Sequence, residues 1–193
     1  MFNNLSNHHI ILASNSPRRK ELLSGLDIKY EVKLLPDIDE NYPSHLVKNE
    51  IPEFLAKQKA EAYTSFLKKN TLVITADTIV WLTNKVYGKP TDKEDAKSML
   101  RELSGKTHEV ITGVCITGLN KQRIFSVLSE VSFVQISEEE INYYVEKYAP
   151  LDKAGAYGVQ EWIGYIGVEN IRGSYFNVMG LPVQRLYQEL KRW

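Results

Sequence analysis

Short apolar runs separated by polar turns set the pattern of this chain. Residues 10–13 read as a short buried strand, after which Ser14-Asn15-Ser16-Pro17 turns the chain into a helix predicted from 17 to about 26, ending near Gly25. Residues 29–35 alternate like a second strand, and 36–48 are polar and turn-rich. Over 51–68 the apolar positions return at helical spacing, with Ile51, Leu55, Ala62 and Phe66 on one track and Ala56, Ala60, Tyr63 and Leu67 beside it. Residues 71–82 read as a strand that turns at Thr83-Asn84-Lys85, and 92–103 as a helix. The stretches 107–119 and 123–136, rich in Val, Ile, Thr and Phe and broken at Asn120-Lys121, predict a long hairpin. Ser137 with Glu140 forms a capping-box start for a helix to about Tyr148. Beyond Pro150 a Gly- and Ala-rich segment leads to strand material over 165–171 and a last helix from Pro182. Hairpins beside crossovers predict an α/β protein with a mixed sheet.

Composition narrows the function classes. The 193 residues carry 24 Lys plus Arg against 24 Asp plus Glu, so no general field draws a polyanion, which argues against non-specific nucleic-acid or anionic-membrane binding. The chain is expected to be one domain, 1–193, since no repeat, low-complexity stretch or linker divides it. No run of ~18 apolar residues occurs and the N-terminus lacks a basic signal-peptide start, so the protein is expected to be cytoplasmic. The single cysteine, Cys115, lies in an apolar stretch and reads as a small buried hydrophobe.

Three places carry charge where the pattern disfavours it. Ser16 suits an N-cap and Pro17 the first helical position, yet Arg18 and Arg19 then occupy the first turn, at the positive end of the helix dipole. Two readings fit: an anion such as phosphate held by first-turn N–H groups, serine hydroxyls and guanidiniums, or a solvated start whose arginines pair with acids elsewhere. Lys59 falls inside the apolar stripe of its helix, where a lysine either snorkels to the edge or meets an anion. Asp77 and Thr78 interrupt an otherwise apolar strand, and a buried carboxylate there needs a cation, a metal or several donors. The loop Asp37-Ile38-Asp39-Glu40 adds hard oxygen ligands of the kind Mg²⁺ or Mn²⁺ selects, or is a solvated acidic loop. Gly105-Lys106-Thr107 follows a helix, and Leu100 stands where a P-loop needs its first glycine, so it is not a P-loop. GxGxxG, HExxH, paired CxxC and GxSxG signatures are absent from the sequence.

Taken in order, LASNSPRR, IDE, KQKA, ADTIV, GKP, LSGKTHEV, APLDKAGAYGVQ and GSYFNVMGLP resemble the Maf family of nucleoside triphosphate pyrophosphatases over nearly the whole chain. The resemblance implies an α/β Maf/Ham1-like (ITPase-like) fold, with a central mixed sheet, flanking helices and a cleft between two lobes. It implies hydrolysis of a nucleoside triphosphate to the monophosphate and pyrophosphate with Mg²⁺ or Mn²⁺. By the same route Ser14, Arg18 and Arg19 correspond to phosphate-binding residues, Lys59 and Lys89 to active-site lysines, Glu40 to the metal-side glutamate and Asp77 to the active-site aspartate. Glu40 and Asp77 are expected to hold or orient the metal and a water. Asp77 is the expected general base, with Glu40 as the alternative.

Family members resembling dTTP/UTP pyrophosphatases carry Thr after the active-site Asp and Gln in the YGxQ string, matched here by Thr78 and Gln160; with Arg18 these are the expected specificity residues. A carboxamide can donate to O4 and accept from N3–H of uracil or thymine, whereas cytosine presents the opposite pattern, provided something fixes the amide. The alternatives are a pyrophosphatase for 7-methyl-GTP or another modified base, and a nucleotide-binding regulator of septum formation without turnover. A homodimer fits the family. Two departures stand out: Asn15 where relatives often have a small residue, and Glu161-Trp162 after Gln160, where a glycine is common.

Overall fold

The computed structural model of the protein describes residues 3–36 and 38–193. Among the described residues seven strands form one mixed sheet in the order β2-β1-β3-β5-β6-β7, with β4 also pairing β3. The strands are β1 (His9–Leu12), β2 (Glu31–Val32), β3 (Thr71–Leu82), β4 (Lys85–Tyr87), β5 (Thr107–Thr117), β6 (Gln122–Phe133) and β7 (Val168–Arg172). The helices are α1 (Pro17–Ser24), α2 (Glu50–Glu61), α3 (Lys93–Leu103), α4 (Glu138–Tyr148), α5 (Trp162–Gly167), α6 (Tyr175–Val178) and α7 (Val183–Lys191). The expected α/β class and central mixed sheet are therefore present. The chain packs as two compact units, and β3, β5 and β6 each contribute residues to both.

The first unit comprises Met1–Asp77, Thr112–Val127 and Gly180–Trp193. In it β1 runs parallel to β2 and to β3, in the register Ile11↔Glu31 and Ile11↔Val73. The short Ile-Ile-Leu run of β1 is buried throughout, as a strand covered on both faces must be. Helix α2 lies close to its neighbours because the contact residues are small: Ala56, Ala60 and Cys115 form one fully buried cluster, and the Thr75 hydroxyl donates to the Ala56 carbonyl at 2.6 Å. Burial pushes the Cys115 thiol above its ordinary value, which suits the packing role expected for it. Against the expectation of a helix to 68, α2 ends at Glu61. The Thr64 hydroxyl donates to the Glu61 carbonyl at 2.6 Å, a side-chain bond that competes with the helical ladder, and Thr64–Phe66 tightens into a 3-10 turn. The strand expected over 29–35 shortens to Glu31–Val32.

The second unit comprises Thr78–Ile111 and Leu128–Met179. Thr83 and Asn84 both take positive φ, so the remainder of β3 reverses tightly into antiparallel β4. Helix α3 starts at Asp92, whose side chain accepts from Asp95 N, and packs on α4, which opens with the expected Ser137/Glu140 capping box. The Arg101 guanidinium forks onto Glu138 at 2.7 and 2.9 Å across these two helices. The expected strand over 165–171 divides, because residues up to Gly167 belong to α5 and only Val168–Arg172 pairs with β6. Within α5 Gly164 packs against Val159: a Cβ there would lie 1.9 Å from the Val159 carbonyl oxygen, an approach the pattern of apolar residues does not report.

This unit also buries a histidine. His108 Nε2 lies 2.8 Å from the Tyr157 hydroxyl, its ring stands edge-on to Phe133 and Tyr157, and its Nδ1 is buried without a hydrogen-bond partner among the described residues. Burial pulls the imidazole down to about 4 from an ordinary 6.5. Between those values the unfolded chain binds a proton that the folded chain refuses, so His108 favours folding above about pH 6.5 and loses that contribution as the pH falls towards 4. The loss is on the order of 3 kcal/mol over the window. Urea midpoints measured from pH 7 to pH 4.5 should fall with this slope, and His108→Phe should flatten it; an equal slope in the variant would assign the effect to other groups.

Candidate active site

The residues of the first unit converge where its parallel strands end. Ala13 N donates to Ile74 O at 3.0 Å, so the chain leaving β1 runs beside β3 and brings Ser14, Ser16 and the start of α1 to the carboxyl edge of the strands, near Ala76 and Asp77. In open α/β sheets that edge is where ligands bind. Ser16 caps α1 by accepting from Arg19 N, Pro17 fills the first helical position, and the buried Ser14 hydroxyl accepts from Ser16 N at 3.3 Å.

The two arginines of the first turn differ. Arg19 folds back, donating from Nε to Gly180 O and from a terminal nitrogen to Ala76 O, each at 2.8 Å. Those carbonyls offset its unfavourable place at the helix N-terminus. Burial lowers the guanidinium from its ordinary value, Asp77 opposes that fall, Arg18 deepens it and Glu40 opposes it, and an arginine so placed stays a cation. Arg18 is half-buried in the same turn.

Lys59 joins the carboxylates. Its ammonium lies 2.6 Å from Asp77 Oδ1 and 2.8 Å from Glu40 Oε1, with the Lys59 and Asp77 side chains 13% and 14% exposed and Glu40 47% exposed. Thus the lysine in the apolar stripe meets anions instead of snorkelling, and the misplaced aspartate has its cation. Tyr63, on the turn after α2, steadies the chain leading to Glu40: its hydroxyl donates to Lys33 O at 2.8 Å and accepts from Leu35 N at 3.2 Å, while Leu35 and Ile38 pack on the cluster of Ile11, Tyr63 and Val73. Of the acidic loop, Asp37 lies outside the described residues, and Asp39 accepts from Asn41 at 2.9 and 2.7 Å. Among the described residues no three His, Cys, Asp or Glu side chains are grouped to share a metal ion.

The sequence matches the family described as Maf-like protein over residues 9–193. The chain belongs to the Maf family. Among similar proteins, a dTTP/UTP pyrophosphatase of Phocaeicola vulgatus is 62% identical over 192 residues, covering all of both chains, and one of Bacteroides thetaiotaomicron is 60% identical over the same extent. A Porphyromonas gingivalis protein of the same name is 55% identical, covering 99% of this chain and 97% of its own. Of solved structures, the Ham1 protein of Staphylococcus aureus aligns with a TM-score of 0.54 at 19% identity, over 94% of this chain and 99% of its own. A HAM1 protein of Coxiella burnetii gives 0.52 at 15%, over 96% and 100%. These two establish the Ham1-like fold.

The remaining expected site residues of this Maf chain belong to the second unit. Thr78 follows Asp77 directly in β3, so the two side chains point to opposite faces of the strand. Lys89 is exposed, two residues beyond β4, where Gly88 O accepts from Gly155 N at 3.0 Å. Gln160 sits in a turn before α5, and its Oε1 is buried with no hydrogen-bond partner among the described residues. Sequence reasoning did not reach the carbonyls of Ala76 and Gly180 that hold Arg19. Backbone acceptors leave no side-chain signal, although Gly180, at φ 110°, marks a conformation that favours glycine.

Proposed function

We propose that the protein is a nucleoside triphosphate pyrophosphatase acting on dTTP and UTP. The observation that carries this reading is the single ammonium of Lys59 held between Asp77 and Glu40, at a strand edge where α1 opens with two arginines. The names of the full-length relatives support the same chemistry. Arg18 and the first turn of α1 bind phosphate oxygens, and Ser14 lines that turn. Arg19, anchored on two carbonyls, supplies fixed positive charge; Lys89 adds a second lysine to the phosphates.

Glu40 and Asp77 also suit a divalent cation. Both carry hard carboxylate oxygens, and Mg²⁺ is commonly held by one or two carboxylates together with substrate phosphates. Such an ion supplies charge neutralisation at the phosphate oxygens. The protein's own part in the step is to orient a water and take its proton: Asp77, fixed by Lys59 on one oxygen, accepts the proton with the other as the water oxygen bonds to the α-phosphorus. The bond from that phosphorus to the bridging oxygen breaks, and pyrophosphate leaves.

Base choice is assigned to Gln160 and Thr78, with Arg18 contributing. The buried Gln160 Oε1 is an acceptor suited to N3–H of uracil or thymine, while its amide group donates to O4. Cytosine reverses both and leaves polar groups facing like partners, a mismatch worth roughly 1–3 kcal/mol for each unsatisfied group. Pyrophosphate release assayed with Mg²⁺ or Mn²⁺ across dTTP, UTP, CTP, dATP, GTP and 7-methyl-GTP should favour dTTP and UTP over CTP by ~10-fold or more. Preference for 7-methyl-GTP would retain the chemistry and reject the base assignment. Binding without turnover would reject the enzyme.

A further inference from the structure

The turn that carries Gln160 is gripped at both ends by one buried hydroxyl. Glu161 N donates to Gly158 O at 2.9 Å, which closes a turn with Val159 and Gln160 at its centre. At the first corner Gly158 N donates to the Tyr144 hydroxyl at 3.0 Å, and at the last that hydroxyl donates to Glu161 Oε2. Tyr144 comes from α4 and is fully buried. The other Glu161 oxygen lies 3.1 Å from the ammonium of Lys153, which also meets Asp152 at 2.7 Å and whose side chain is 9% exposed.

Withdrawing a carboxylate and an ammonium from water is costly, and a turn of four residues needs neither to form. Nor does Glu161 serve as a side-chain cap for α5, although it holds the N-cap position. Its carboxylate instead packs against the turn, close enough that a Cβ on Gly158 would lie 2.8 Å from Glu161 Cδ. In the first turn of α5, Gly164 lies against Val159, where a Cβ would come within 1.9 Å of the Val159 carbonyl oxygen. Gly158, Val159 and Glu161 are thus each fixed by a named contact, while the fourth residue of the turn, Gln160, presents a buried side-chain acceptor with no hydrogen-bond partner among the described residues.

We propose that Tyr144 and Glu161 are positioning residues for base selection, fixing the backbone turn from which the Gln160 side chain reaches the base. Lys153 compensates the carboxylate that makes this grip possible. The proposal rests on the reading of Gln160 as the base-contacting residue. A hydrogen-bonding pair is sensitive to small displacements, since a misplacement of about 1 Å can cost ~100-fold in rate. Loss of the Tyr144 hydroxyl leaves Gly158 N–H without its acceptor and Glu161 Oε2 without its donor, so the turn relaxes, whereas Asp77 and Lys59 belong to the first unit.

The test measures kcat and KM for UTP and CTP by pyrophosphate release in the wild type, Gln160→Ala, Tyr144→Phe, Glu161→Gln and the Tyr144→Phe/Gln160→Ala pair. Tyr144→Phe is expected to lower the UTP-to-CTP ratio of kcat/KM ~10-fold, through a raised KM for UTP with kcat little changed. Glu161→Gln, which keeps an acceptor for the phenol but not the charge facing Lys153, should lower the ratio less. The double variant should match Gln160→Ala alone. A purely structural role would depress both substrates in proportion, leave the ratio unmoved and overturn the proposal, as would a double variant less selective than Gln160→Ala. Should Tyr144→Phe fail to fold, Glu161→Gln decides, and an unchanged ratio there overturns it. If Gln160→Ala itself keeps the ratio, the Gln160 reading falls, and the positioning proposal with it.

Discussion

Asp77→Asn is expected to lower pyrophosphate release from dTTP or UTP by ~10²–10⁴-fold in kcat, the range typical of a removed general base. Asparagine matches the aspartate in shape, and its side-chain oxygen can still accept from Lys59, which the structure places 2.6 Å from Oδ1. Glu40, 2.8 Å from the same ammonium, keeps the lysine partly compensated. Folding should therefore survive, and KM should change less than kcat, because Arg18 and the first turn of α1, the proposed phosphate contacts, are untouched. A thermal melt alongside the assay separates loss of chemistry from loss of structure. Retention of most of kcat with unchanged metal dependence would remove Asp77 from the role of base and leave Glu40, whose greater exposure gives water easier access, as the carboxylate to test next.

The legible part of this site was its discomfort. Two arginines in a first helical turn, a lysine in an apolar stripe and an aspartate inside an apolar strand each violate a local rule, and local rules are broken where function or tertiary pairing offsets the loss. The strand around Asp77 was readable to its ends because a twelve-residue apolar run bounded by a turn admits few alternatives, and α4 because a capping box is written in two residues. Which acid met Lys59 was not readable, since Glu40 and Asp77 lie 19 and 18 residues away in sequence and only the packing of α2 selects them. The grip on Gln160 was hidden for a different reason. Tyr144 has the spacing of an ordinary core residue of α4, and nothing in its neighbours reports that its hydroxyl reaches a turn 14 residues on. Glu161 was visible only as a departure from the family's glycine. Residues 165–167 differ from expectation because a β-rich composition favours a strand, while the chain continues α5 to Gly167 and only then enters β7.

The position of Lys59 depends on a backbone approach that a single methyl group would spoil. A Cβ on Gly113 in β5 would lie 2.3 Å from the carbonyl carbon and oxygen of Pro52 and 2.5 Å from Glu53 N, all backbone atoms of the first turn of α2. Real Cβ atoms do not come so close, and helix backbone cannot yield as the end of a flexible side chain would, so Gly113→Ala must displace α2 from the sheet. Thr75 loses its 2.6 Å bond to Ala56 O if the helix lifts, and the small-residue cluster of Ala56, Ala60 and Cys115 opens. Overpacking of this kind costs about 1–3 kcal/mol or more. In a chain of this size that corresponds to a fall in Tm of roughly 2–12 °C. Gly88→Ala, where a Cβ meets nothing within 4 Å, supplies the comparison and should change stability by about 0.5 kcal/mol or less. Because α2 carries Lys59, the displacement should also lengthen its contacts to Asp77 and Glu40 and lower kcat at temperatures where Gly113→Ala remains folded. Unchanged stability would mean that α2 finds another seat on β5. Lost stability with unchanged kcat would mean that Lys59 reaches its carboxylates by the flexibility of its own side chain, and the placement of the helix would then cease to be part of the catalytic design.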